Sequence, residues 1–268
     1  VFEKLVIIMS YHFHKYHGAG NDFILIDDRN LDFPSYDNGL ISQMCHRRFG
    51  IGADGLILLQ NHNDFDFEMK YFNADGFEGS MCGNGGRCIV QYAKDLNIIV
   101  DTCSFMTVDG LHQAEIISNG VKLSMSNVNG YKKIESDYFI ETGSPHLVLI
   151  REKIAEIDVI NEGRKLRYDK SIASNGCNVN FIEQTDINTV AIRTYERGVE
   201  NETWACGTGA VASAITFAIK HNMPDGACSI KMLTKGGNLV VDFIKSEAKF
   251  SNVYLSGPAM FIYTGEYK

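Results

Sequence analysis

The sequence predicts a mixed α/β (α+β) fold of two pseudo-symmetric halves, each a curved, mixed or antiparallel β-sheet, barrel-like in its curl, around one central buried helix. Three observations predict it. Two thiols stand directly before glycine-rich turns, in Cys82-Gly83-Asn84-Gly85 and Cys206-Gly207-Thr208-Gly209, and each turn opens an apolar run at helical spacing. The landmarks of the first half recur in the second at a nearly constant offset. From Ala210 to Ile219 only Ser213 and Thr216 are polar, which marks a helix buried on all sides. Among many short strands, such a helix calls for a sheet wrapped around it.

Taken in order, residues 11–16 read as a strand, His17-Gly18-Ala19-Gly20-Asn21-Asp22 as a turn, and 23–27 as a second strand. Residues 36–48 have helical spacing, with Leu40, Ile41, Met44 and Cys45 on one side. The loop Phe49-Gly50-Ile51-Gly52-Ala53-Asp54-Gly55 leads into a strand over 56–59, and 65–72 alternate as another. Residues 73–80 form a polar loop, 85–96 a helix, and strands follow from 98 to about 128. The second half repeats this order. Gly143 follows Gly20 by 123 positions (143 − 20), Thr194 follows Tyr71 by 123 (194 − 71) and Gln184 follows Gln60 by 124 (184 − 60). Cys206 follows Cys82 by 124 (206 − 82), and Thr234 follows Thr107 by 127 (234 − 107). The halves divide near Asn129-Gly130: residues 9–128 with a returning tail, 257–268, carry Cys82, and residues 129–256 carry Cys206. Residues 1–8 read as an extension before Met9.

The 268 residues, 45% of them hydrophobic, are enough for a large core. A net charge of −8, with no basic stripe, argues against a nucleic-acid surface. The longest apolar run near the start, Leu5 to Met9, is too short for a membrane span or a signal core. The expectation is a soluble cytoplasmic protein. Seven cysteines without a Cys-x-x-Cys spacing argue against a disulfide framework or a structural zinc site. His12 and His14 alternate on a strand face with no carboxylate or thiol ligand close in sequence, so no metal is expected there.

A thiol at a helix N-terminus meets unsatisfied N–H groups and the positive end of the helix dipole. A lowered thiol pKa is expected there, and the same amides can hold a carboxylate. A pseudo-twofold axis then brings Cys82 and Cys206 face to face across a cleft. Two acid–base groups on opposite faces of one carbon are what stereochemical inversion requires. Such a reaction needs no cofactor in principle, and the sequence has no convincing pyridoxal-phosphate lysine or flavin loop.

From about residue 12 to 267 the chain resembles the diaminopimelate epimerase family. The resemblance rests on His17-Gly18-Ala19-Gly20-Asn21-Asp22-Phe23, Phe49-Gly50-Ile51-Gly52-Ala53-Asp54-Gly55 and Phe72-Asn73-Ala74-Asp75-Gly76. It rests further on Met81-Cys82-Gly83-Asn84-Gly85-Gly86-Arg87-Cys88, Gly143-Ser144-Pro145-His146, Tyr195-Glu196-Arg197-Gly198 and Ala205-Cys206-Gly207-Thr208-Gly209-Ala210. It implies two pseudo-symmetric α/β halves and interconversion of LL- and meso-diaminopimelate, without pyridoxal phosphate or another cofactor, for lysine and cell-wall synthesis. The partner implied is a small diamino dicarboxylic acid, with neither nucleic acid nor membrane, and a homodimer is the assembly expected. The resemblance implies Cys82 and Cys206 as the two bases, assisted by His146 and Glu196. Gly83, Asn84, Gly207 and Thr208 would hold the carboxylate at the reacting centre. Asn21, Asn73, Asn178, Glu196 and Arg197 match positions that grip the substrate, largely at its distal end. No metal is implied.

Two positions depart from the family pattern. Ser144 stands where the family often has Asn, and Gly55 where it often has Gln; each removes an amide from the substrate shell. Asp22 and Asp75 sit in turn contexts and are expected to fix loop shape through Asx hydrogen bonds. Arg87, near the start of its helix, opposes the dipole there. Competing functions are a proline or hydroxyproline racemase of related architecture, a thiol–disulfide protein and a catalytically silent binding module. The grip rich in Asn, Glu and Arg suits a long substrate with two amino-acid ends.

Overall fold

The computed structural model describes residues 10–268; the proposed extension and Met9 lie outside them. The first series of elements is β1 (Tyr11–Gly18), β2 (Asn21–Asp27), α1 (Asn38–Cys45), β3 (Gly55–Gln60), β4 (Phe67–Asn73), α2 (Gly83–Asp95), β5 (Thr102–Thr107), β6 (Gly110–Ile117) and β7 (Gly120–Ser124). The second is β8 (Lys132–Ile134), β9 (Asp137–Glu141), β10 (Pro145–Ile150), α3 (Val159–Arg167), β11 (Asn178–Asp186), β12 (Thr189–Glu196) and β13 (Asn201–Thr203). It continues with α4 (Gly207–Lys220), β14 (Gly226–Thr234), β15 (Gly237–Ser246) and β16 (Lys249–Gly257), and β17 (Met260–Tyr267) closes the chain.

Strand pairing reproduces the repeat. In one series β17–β1, β1–β2, β3–β4, β5–β6 and β6–β7 are antiparallel, and β2–β3 and β4–β5 are parallel. In the other, β8–β9, β9–β10, β11–β12, β14–β15 and β15–β16 are antiparallel, and β10–β11 and β12–β14 are parallel. Among the described residues the short β13 pairs with β12 alone. The register agrees as well: Phe23 pairs with Gly55 and His146 with Asn178, each 32 residues on (55 − 23; 178 − 146). The last strands of the two series, β7 and β16, pair antiparallel and join everything into one mixed sheet. The α/β class expected from the sequence is the one observed.

Each series curls around its own helix. α4 is buried on every side, Ser213 and Thr216 included, and packs with Val148, Val190, Ile230, Val241 and Leu255. α2 packs with Phe23, Ile57, Phe67, Phe105 and Leu123. α1 and α3 belong to two further apolar clusters, with Ile24 and Leu56 beside α1 and Val179 and Tyr195 beside α3.

Element ends differ from the sequence expectation for local reasons. β1 runs on to Gly18, and the turn shrinks to Ala19 and Gly20, both at positive φ (51° and 89°). α1 starts after Asp37, whose carboxylate caps Leu40 N at 2.9 Å, and stops at Cys45. The His46 ring accepts from Arg48 N and Phe49 N, both at 3.1 Å, and turns the chain out of the helix. α2 begins at Gly83, two residues before the expected start, directly after Cys82. β5 begins at Thr102 rather than near 98.

Leu255 on β16 sits at the seam. It is fully buried, pairs with Leu123 on β7, and its Cδ2 is 3.3 Å and 2.9 Å from where a Cβ on Gly83 and Gly207 would stand. Leu255→Ala leaves a cavity under both helix ends. We expect a loss of about 2–5 kcal/mol in urea unfolding, well above the effect of truncating an exposed residue such as Ile187.

Candidate active site

The two helix N-termini meet through glycine. A Cβ on Gly207 would lie 3.4 Å from Gly83 Cα, at van der Waals contact, and 2.9 Å from Leu255 Cδ2, so the two ends touch and a side chain at Gly207 would have to displace Leu255. Cys82 and Cys206 are the N-caps of α2 and α4, both extended (φ −92°, ψ 123°; φ −118°, ψ 117°). The N–H groups of Gly85 and Asn84 face the Cys82 sulfur, and that of Gly209 faces the Cys206 sulfur. All seven cysteines are unpaired.

The expectation of lowered thiol pKa values is overturned. Burial is the largest influence on both and pushes both up; the Glu196 charge adds to it, and the helix amides oppose it without winning. A thiolate loses more from leaving water than it gains from one or two amides in this closed cleft. The buried Arg87 guanidinium also favours the Cys82 thiolate, while Thr208 Oγ1 does so at Cys206.

His146 reaches Cys206 through an intermediary. Asn180 Nδ2 donates to His146 Nδ1 at 3.0 Å, with Asn180 Oδ1 fixed by Thr194 Oγ1 at 2.9 Å. Nε2 then carries the proton and donates to Thr208 Oγ1 at 2.9 Å. That hydroxyl lies 3.6 Å from Cys206 Sγ. Thr142 Oγ1 holds the Thr208 carbonyl at 3.0 Å. Burial, then the Arg197 charge, lowers the His146 pKa to about 3, so the ring is neutral near pH 7.

A second polar chain links the halves. Arg87, fully buried, donates to Asn84 Oδ1 at 2.7 Å, Gly83 O at 3.1 Å and Pro258 O at 3.5 Å. Asn84 Nδ2 donates to Asn21 Oδ1 at 2.6 Å and Ala205 O at 2.9 Å. Asn21 Nδ2 donates to Asp54 at 2.8 Å. The Asn84 side chain is thereby spent on the link, and its backbone N–H is what remains for the thiol or a ligand. Asp22 is an ion-pair residue and not an Asx turn: Lys15 and Arg47 bind it at 2.8 and 2.6 Å and hold its pKa near 2. Asp75 does make the turn expected of it, accepting Phe77 N at 3.0 Å.

Around the cleft, Glu196 raises both thiols, and burial raises its own carboxyl. Arg197 makes no ion pair among the described residues; its Nη1 donates only to Gly176 O at 3.3 Å. Asn178 accepts Arg197 N at 2.8 Å and donates to Pro145 O at 3.2 Å. Asn73 is exposed, its Nδ2 2.8 Å from where a Cβ on Gly79 would stand.

The family model for diaminopimelate epimerase matches residues 13–130 and 138–262. The chain is 47% identical to a diaminopimelate epimerase of Flavobacterium psychrophilum over 251 residues, covering 93% of this chain and 97% of that one. It is 40% identical to one of Chlorobaculum tepidum, covering 92% and 98%. This chain belongs to the diaminopimelate epimerase family. Solved structures with the same fold include a phenazine biosynthesis protein of the PhzF family from Bacillus anthracis, with TM-score 0.78, 13% identity and 97% and 100% of the two chains covered. A hydroxyproline epimerase of Agrobacterium vitis matches with TM-score 0.72 and 12% identity, covering 97% and 93%. At these identities the likeness concerns the fold alone.

Several residues of this family member escaped the sequence reading. Asn180 and Thr194 support the Cys206 side from strands and Thr142 from the bend before Gly143; none lies within the glycine motifs, and only the fold brings them together. Arg87 was visible only as a charge at the wrong end of a helix. The neutral histidine has a measurable consequence. Unfolded His146 takes up a proton below about pH 6.5, while the folded ring does not until about pH 3. Its contribution is therefore complete above pH 6.5 and shrinks as pH falls, by up to about 1.4 kcal/mol per pH unit. Between pH 7 and 5 the wild type should lose about 2 kcal/mol more than His146→Gln in urea titrations. Equal losses would mean that His146 is protonated in the folded state.

Proposed function

We propose that this protein interconverts LL- and meso-diaminopimelate by a two-base mechanism with Cys82 and Cys206, and without a cofactor. The observation that carries this is the meeting of two cysteine-capped helix ends at Gly83 and Gly207. One sulfur, as thiolate, takes the α-proton; the opposing thiol delivers its own proton to the other face, and its sulfur is left as the thiolate. Running backwards, the same pair exchanges roles. The amides that open α2 and α4, with Gly83, Asn84, Gly207 and Thr208, hold the α-carboxylate and the charge that develops on it. The α-ammonium of the substrate brings a positive charge beside thiols whose burial raises them, which favours ionisation of one.

In the same proposal His146 acts on Cys206 through Thr208, and Glu196 lies within electrostatic reach of both sulfurs. Arg197, with no carboxylate partner among the described residues, takes the distal carboxylate with both arms of its guanidinium. Asn21, Asn73, Asn178 and Glu196 complete the grip. Residues 9–128 with 257–268 serve as the half bearing Cys82, and 129–256 as the half bearing Cys206. The enzyme acts in the cytoplasm, in lysine and peptidoglycan precursor synthesis. It works as a homodimer; support comes from β17, which among the described residues pairs with β1 alone and exposes Met260, Phe261, Ile262 and Tyr263.

The test is isomerisation of diaminopimelate, with proline and hydroxyproline offered in parallel. Cys82→Ala and Cys206→Ala should each lose about 10²–10⁴-fold or more in turnover while unfolding at the wild-type urea concentration. Near-normal turnover by either variant would refute the two-base proposal.

A further inference from the structure

Tyr71, on β4, belongs to none of the roles described above. Its ring lies in a slot made by two glycines. A Cβ on Gly55 would stand 2.6 Å from ring Cε2 and 3.1 Å from Oη, and one on Gly79 3.1 Å from Cδ1 and from Cε1. Phe23 meets the ring edge to face, with centroids 6.1 Å apart. The Gly79 N–H donates to the Tyr71 carbonyl at 2.9 Å, which pins the backbone on the other side. The ring is fixed, yet its hydroxyl hydrogen-bonds no protein group among the described residues.

Tyr71 packs with Met81 and Cys82 on the apolar cluster around α2, and its Oη lies where a side chain of Gly55 would begin. Burial, then the charges of Cys82, Glu196 and Asp54, hold the phenol protonated. Cys82 caps α2 and Glu196 ends β12 in the other series, and the charges of both bear on the phenol. A protonated phenol with no partner is a hydrogen-bond donor awaiting an acceptor. The acceptors of a diamino dicarboxylic acid are its carboxylates; its ammonium groups only donate.

Symmetry gives the place a meaning. Gly55 corresponds to Asn178 in the second series (178 − 55 = 123), just as Asn73 corresponds to Glu196 (196 − 73 = 123). Gly55 therefore lacks the amide that its counterpart carries, and the Tyr71 ring occupies the space that a side chain there would need.

We propose that the Tyr71 hydroxyl is a substrate-positioning donor, standing in for the amide missing at Gly55 and donating to a carboxylate oxygen of the bound substrate on the Cys82 side of the cleft. This rests on the diaminopimelate proposal above. A neutral donor also offsets the repulsion that Glu196 and Asp54 exert on an incoming carboxylate.

Tyr71→Phe keeps the ring in its slot and removes only the hydroxyl. KM for diaminopimelate should rise roughly 10- to 100-fold, the range for a lost hydrogen bond to a charged group. The kcat should stay within about three-fold, and the melting temperature should not fall. The Kd from calorimetry should weaken in step with KM. Unchanged KM and Kd overturn the proposal. So does a Tyr71→Phe that leaves KM alone but moves the pH profile of Cys82 alkylation, because the hydroxyl would then serve the thiol. A wild type that binds diaminopimelate without turning it over sinks the epimerase proposal instead, and the Kd comparison still judges Tyr71.

Discussion

The contact on which this structure depends is the meeting of two helix N-termini at Gly83 and Gly207. Helix ends present their positive poles, so bringing two of them together is electrostatically unfavourable. Glycine makes the approach sterically possible, and Leu255 seals it from below. The approach brings together two helix ends, each capped by a cysteine. Two positive poles side by side suit an anion, the role the proposed function gives to a substrate carboxylate. The curled sheet halves and the β7–β16 seam hold those two poles against each other.

Burial gives the site its chemical character. It raises both thiols and the Glu196 carboxyl and keeps His146 neutral. The halves share a topology but not their supporting groups. Cys82 has the buried Arg87 behind it, where the second half has Val211 (211 − 87 = 124). Cys206 has instead the chain Asn180, His146, Thr208. One sulfur is supported by a fixed charge and the other by oriented dipoles. Arg87 also bonds Asn84, which bonds Asn21 and Ala205, so its charge and the alignment of the halves are coupled.

Much of this was legible in the residues. Apolar spacing located α4, and its lack of a polar face implied the enclosing sheet. The offset of 123 between Gly20 and Gly143 (143 − 20) reappears as matching strand registers, because equal spacing builds equal pairings. The thiol pKa could not be read, because helix-end stabilisation is visible in a sequence and desolvation is not. Asp22 looked like a turn residue because its partners, Lys15 and Arg47, come together only when β1, β2 and the loop after α1 pack. Tyr71 was hidden for a related reason: nothing in Tyr71-Phe72-Asn73 tells that its ring lies over Gly55, a glycine 16 residues earlier (71 − 55).

The central claim is that opposed sulfurs, one per half, exchange a proton with the α-carbon on opposite faces. Thiol protons exchange with solvent, so in D₂O the delivering sulfur carries deuterium while the removed proton stays on its partner. The decisive measurement is mass spectrometry of substrate and product at initial rate in D₂O, started separately from LL- and from meso-diaminopimelate. Opposed Cys82 and Cys206 predict deuterium at the inverted carbon of product, in both directions, with the remaining substrate still largely protonated. Product that retains its original α-proton would contradict the account, because one group would then have carried that proton from face to face.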